Sequence, residues 1–167
     1  MSEIINELAE VLDTIDRSGD FYSAGTAEIG LPRLEVDGVG PIAFPLLPIQ
    51  AQQLIAVAEP SPYGRGEQTL HDPKVRRTWQ IEPERVHIGG GHWEKNLKTI
   101  VQRAATGLGV SGSVQADFYK LLIYDKGSFF VDHRDTEKAP GMFATLIIVL
   151  PADYSGGELL VRHLDQE

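Results

Sequence analysis

The stretch Tyr124-Asp125-Lys126-Gly127-Ser128-Phe129-Phe130-Val131-Asp132-His133-Arg134-Asp135 decides how this chain reads, together with the apolar run over 142–150 and Gly156-Gly157-Glu158-Leu159 behind it. Side chains two residues apart on an extended chain point to the same face. His133 and Asp135 therefore converge, an imidazole beside a carboxylate, as candidate metal ligands. A second His-x-Asp occurs at His163-Leu164-Asp165, but only the first copy follows a strand-like run, a glycine turn and two aromatics. One histidine and one carboxylate, completed by a second histidine from elsewhere and by open positions, make the ligand set of non-haem Fe(II) oxygenase sites. The competing reading of the pair is a surface ion pair.

Around this stretch the second half reads as successive antiparallel strands. Val114, Ala116, Phe118, Leu122 and Tyr124 alternate with a set that includes Gln115, Asp117 and Tyr119, which predicts a strand over 114–124. Asp125-Lys126-Gly127 is a tight turn, and 128–132 continues as strand toward His133. Residues 136–141 form a polar loop, 145–150 an apolar strand, 151–156 a turn and 158–162 a returning strand. Strands of this length between frequent turn signals point to a sandwich, barrel or jelly roll. Phe129 and Phe130 read as packing residues, and Gly156-Gly157 as a turn that requires positive φ.

The first half mixes helix and strand. Ile4, Leu8, Val11, Leu12 and Ile15 fall at helical spacing behind Ser2, a candidate N-cap, and Ser18-Gly19-Asp20 ends the run. Extended pieces follow over 21–29, 34–36 and 42–46, with Asp37-Gly38 as a hairpin turn. Pro48 opens a second helix to about Ala58, since proline at the first turn loses no intrahelical bond. Residues 63–73 are polar and aperiodic and read as an exposed loop. A strand is expected over 75–81, with Lys74, Arg76 and Arg77 as a solvated face. Gly89-Gly90-Gly91 leads into a third helix over 93–106. His87 and His92 flank these glycines, but no lysine and serine follow in P-loop spacing, so the segment reads as a loop before a helix.

Composition narrows the function classes. With 167 residues, 42% of them hydrophobic, the chain fits one domain with a substantial core. A net charge of -9 disfavours a nucleic-acid partner held through a basic surface. Cysteine is absent, which excludes disulfides, thiolate metal sites and cysteine nucleophiles. No secretion signal and no apolar run of membrane-spanning length is evident, so no membrane partner and a cytoplasmic location are the expectation.

The ordered set Leu121-Leu122-Ile123-Tyr124, the glycine turn, Phe129-Phe130, His133-Arg134-Asp135, Thr145-Leu146 and Gly156-Gly157-Glu158-Leu159 resembles the 2-oxoglutarate- and Fe(II)-dependent oxygenases, in the prolyl 4-hydroxylase-like branch. The resemblance covers about 119–163. It implies an α+β fold, a double-stranded β-helix (jelly roll) flanked by N-terminal helices, with 1–110 as the helix-rich flank of a single domain and 111–167 as the first half of the jelly roll. It also implies hydroxylation of a peptide or small-molecule C–H bond, with Fe(II) and 2-oxoglutarate as cofactors. His133 and Asp135 match the family's first two iron ligands, Tyr124 and Thr145 its cosubstrate-side positions.

One departure stands out. The family's second histidine and the basic residue for the far carboxylate of 2-oxoglutarate lie on later strands, and the only histidine after the motif here is His163. The jelly roll is therefore expected to be incomplete at the C-terminus. A fragment, a short form completed by a partner, and His163 as a non-standard ligand all remain open. An open jelly roll exposes strand edges, which makes a homodimer through those edges an expectation. The functional alternative is a catalytically incomplete oxygenase-like domain acting as a binding module, and a cupin-like metal protein is a third reading.

Overall fold

The computed structural model describes residues 4, 6, 19–65 and 68–163. The expected N-terminal helix falls almost wholly outside the described residues. The fold is mixed α+β: over the described residues of 19–163 it has two α-helices, one short 3-10 helix and several small antiparallel sheets.

Strands β1 (Arg33–Val36) and β2 (Gly40–Ile42) form the hairpin expected at Asp37-Gly38. Gly38 and Gly40 both have positive φ, 84° and 89°, which glycine adopts without strain. Helix α1 (Pro48–Val57) begins on Pro48 and buries Leu54. Four short strands follow, β3 (Glu59–Pro60), β4 (Tyr63–Arg65), β5 (Gln68–Leu70) and β6 (Arg76–Arg77). The segment expected as an irregular loop over 63–73 thus contains an antiparallel hairpin, Tyr63 opposite Leu70. Its polar composition hid it, because β4 and β5 pair mainly with each other.

Strand β7 (Trp79–Ile81) is separated from β6 by Thr78, so the single strand expected over 75–81 is broken in two. Strand β8 (Val86–Gly89) pairs with β1, and α2 (Trp93–Gly107) follows the glycines as expected. Val101 and Ala105, four residues apart on one helical face, are its buried residues. Strands β9 (Leu121–Ile123) and β10 (Phe129–Phe130) complete the set.

The sheets β2-β1-β8 and β3-β7-β9 share one core with α1. Leu34, Val36, Ile42, Leu54, Ile81, Val86 and Ile123 are buried in it, with Trp79, Leu121 and Leu150 packed against them. Alternation along β7 and β9 sends Trp79, Ile81, Leu121 and Ile123 to this side. The other face of the same sheet carries the buried polar Gln80 opposite Leu122.

The second half departs most from expectation. The strand expected over 114–124 is reduced to β9, the one over 128–132 to β10, and 145–150 and 158–162 form no ladder. Leu46 makes an isolated parallel bridge with Ala152, and its amide donates to the Pro151 carbonyl at 2.8 Å. The apolar run lies open, with Ile147 55% and Val149 69% exposed. Strand-forming side chains do not make a strand without a neighbouring backbone to complete the hydrogen bonds. Gly156 and Gly157 do take the positive φ expected of them, 72° and 76°. Among the described residues no helix is long and apolar enough to cross a membrane.

Candidate metal centre

Strand β10 pairs antiparallel with β6, placing Phe130 directly opposite Arg76 and Phe129 opposite Arg77. The Val131 amide extends this pairing by one bond, to the Val75 carbonyl at 3.0 Å. The backbone then bends at Asp132, so His133 and Asp135 sit on an irregular segment and not on the strand end that alternation implied. The bend folds the His133 ring back onto Phe130, with centroids 3.5 Å apart and planes 18° from parallel.

The two candidate ligands nonetheless face each other. His133 Nε2 lies 3.7 Å from Asp135 Oδ1, and both side chains are partly exposed. His133 Nδ1 is 2.8 Å from the Val131 carbonyl oxygen, which can only accept, so Nδ1–H is the donor. In the neutral ring this leaves the Nε2 lone pair 3.7 Å from a carboxylate oxygen, a separation that a proton or a metal cation can bridge. A histidine that ligates through one nitrogen and donates the other N–H to a backbone carbonyl is the usual way a metal ligand is oriented.

Thr145 closes the carboxylate side. Its hydroxyl donates to Asp135 Oδ2 at 2.7 Å, across the loop over 136–144, and so fixes the plane that presents Oδ1 to His133. Thr145, expected to lend a hydroxyl to the cosubstrate, here holds a candidate ligand. Arg162 reaches the same segment, donating to Asp132 Oδ2 at 2.6 Å. Among the described residues no group of three histidine, cysteine, aspartate or glutamate side chains gathers around one point. His163 instead stacks on Phe21, with centroids 5.2 Å apart.

Arg76 is the site residue that the sequence hid. Reading it with Lys74 and Arg77 as a solvated face holds for its two neighbours, which are exposed, but Arg76 is half-buried. Its Nε donates to Thr78 Oγ1 and its Nη1 to the Pro62 carbonyl, each at 2.8 Å, while the guanidinium lies 4.5 Å from the centre of the Phe130 ring. Burial lowers its pKa, and the Tyr124 hydroxyl, through charge and a hydrogen bond, then Asp135 and Tyr119 act the other way. Tyr124, Asp135 and Arg76 therefore form one electrostatic neighbourhood. The available signal was alternation: Arg76, Thr78 and Gln80 share a side, and Thr78 and Gln80 are buried polar residues.

The glycine-rich segment before α2 lines a separate open cavity of about 410 Å³ with Ile88, His92, Trp93, Glu94 and Lys95. His87 is not among the lining residues, and its Nε2 lies 3.0 Å from Asp37 Oδ1. No family model, curated protein or solved structure matches this chain.

Proposed function

We propose that the chain carries the iron site of a 2-oxoglutarate- and Fe(II)-dependent oxygenase, a hydroxylase of a C–H bond in a peptide or small molecule. The observation that carries this reading is the Nε2 lone pair of His133 facing Asp135 Oδ1 at 3.7 Å, each side chain held from behind by a hydrogen bond. With ligand bonds of about 2.0–2.2 Å, one cation reaches both atoms with little movement of either. Imidazole and carboxylate suit Fe(II). Bound iron would supply the open positions at which 2-oxoglutarate and oxygen react.

The chain's own residues do the rest. Val131 sets the imidazole tautomer, Thr145 sets the carboxylate plane, and Phe130 covers one face of the His133 ring and limits water there. Tyr124, 55% exposed, stands next to Arg76 on the cosubstrate side of the proposed site. In the same reading residues 111–163, with β9 and β10, belong to the first half of a double-stranded β-helix, and β9 packs its Ile123 into the core of the preceding region.

The test is an anaerobic Fe(II) titration followed by 2-oxoglutarate, read by the visible charge-transfer absorption of the chelate. His133→Ala and Asp135→Ala are each expected to weaken iron binding by about tenfold or more. Unchanged titration in both variants overturns the proposal. Succinate release on admitting oxygen separates an active enzyme from the second reading, an oxygenase-like binding module. That module is favoured by one observation, the open apolar side chains over 143–161. In that case iron is bound, no succinate forms, and light scattering detects self-association through the open segment.

A further inference from the structure

With cysteine absent, the sulfur of this chain is confined to Met1 and Met142. Met142 is partly exposed, and it sits in the loop that joins Asp135 to Thr145, the residue whose hydroxyl holds the Asp135 carboxylate. No helix or ladder runs through 136–144, so the shape of this loop depends on its own short-range bonds. Met142 makes two of them. Its thioether accepts from the Lys138 amide, with Sδ and N 3.2 Å apart, and its amide donates to the Ala139 carbonyl at 3.1 Å. The Gly141 amide donates to Glu137 Oε1 at 3.1 Å, and Lys138 Nζ to Thr136 Oγ1 at 2.7 Å.

Oxidation of the sulfur removes the bond that closes the loop. Hydrogen peroxide converts a thioether to the sulfoxide: sulfur gives up an electron pair, the O–O bond breaks, one oxygen stays on sulfur and the other leaves as water. An N–H···O bond by itself spans about 2.9 Å. An oxygen added on the side of sulfur that faces Lys138 therefore has no room in a gap of 3.2 Å. An oxygen added on the other side draws electron density from sulfur and leaves it a poorer acceptor. Either product releases the Lys138 amide, and both replace a flexible apolar group by a polar one.

We infer that Met142 is an oxidation site through which a peroxide loosens the loop over 136–144, and with it the hold of Thr145 on Asp135. The functional consequence, a lower affinity for Fe(II), rests on the iron-site reading above; the structural consequence needs the loop alone. Methionine sulfoxide is reduced enzymatically, which makes the change reversible.

The experiment treats the metal-free protein with hydrogen peroxide, removes the excess with catalase and then takes three readings. Mass spectrometry of the tryptic peptide 139–162 should show the gain of one oxygen atom on Met142. Exchange of the Lys138 amide should become at least threefold faster, with the amides of β7 and the circular dichroism unchanged. Fe(II) affinity should fall at least threefold and return to within twofold of its starting value after treatment with methionine sulfoxide reductases. Met142→Leu, which lacks the sulfur acceptor, is expected to match the oxidised protein and to be indifferent to peroxide. A Gly-Ser insertion between Ala139 and Pro140, which separates Lys138 from Met142 without oxidation, should weaken iron binding to a similar extent. The inference is overturned by a Met142 that stays unoxidised while Met1 reacts, by unchanged Lys138 exchange in the sulfoxide form, or by equal iron affinity of the two forms. Faster Lys138 exchange in a protein that binds no iron in either form upholds the loosening of the loop and removes the oxygenase reading instead.

Discussion

Residues 33–107 and 111–163 hold comparable apolar content and use it in opposite ways. The first region folds its apolar side chains inward, pairing β1 with β2 and β8, and closing the core over Val36 and Ile81. The second keeps only β9 and β10 in ladders and leaves Leu146, Ile147, Ile148 and Val149 open. The difference lies in the partner, since short turns such as Asp37-Gly38 bring β1 its neighbour, whereas 145–150 has none among the described residues. Strand propensity is a property of side chains, and a strand is a property of two backbones.

Hydrogen exchange probes this contrast most strongly. Amides of β7, the central strand between β3 and β9, are expected to exchange on the order of a thousandfold slower than those of Ile147 and Val149. Comparable protection in both would mean that the apolar run is paired in solution, through a second copy or a completed sheet. Next comes a pair of truncations measured by urea unfolding. Ile81→Ala, at 1% exposure, should cost about 3 kcal/mol, while Ile147→Ala should stay within about 0.5 kcal/mol. Equal costs would break the distinction between the two regions. The smaller sharpening is Gly38→Ala, expected to lose about 1 kcal/mol because the residue sits at φ 84° with Val57 Cγ1 3.3 Å from the added carbon.

The same contrast explains what could be read in advance. The hairpin at Asp37-Gly38, the helix opened by Pro48 and the helix behind the glycines were legible because each is specified within a few residues. The approach of His133 to Asp135 was also legible, but the reason differs from the one alternation offered: a bend and two hydrogen bonds bring the pair together, not a strand end. Arg76 was not legible as a site residue. Its neighbours Lys74 and Arg77 share its charge, and only the pairing of β6 with β10 turns it onto Phe130.

The bridge between Leu46 and Ala152 has a practical side. It fastens the return of the open run to the ordered region, while β10 fastens its departure, so everything between them is a tether closed at two points. Lengthening such a tether is thermodynamically mild, about 0.6 kcal/mol for each doubling. The polar stretch Glu137-Lys138-Ala139-Pro140, exposed throughout, is accordingly a splice point for an epitope or a fluorescent label. Ala139 and Pro140, whose side chains make none of the contacts described above, are the places to cut.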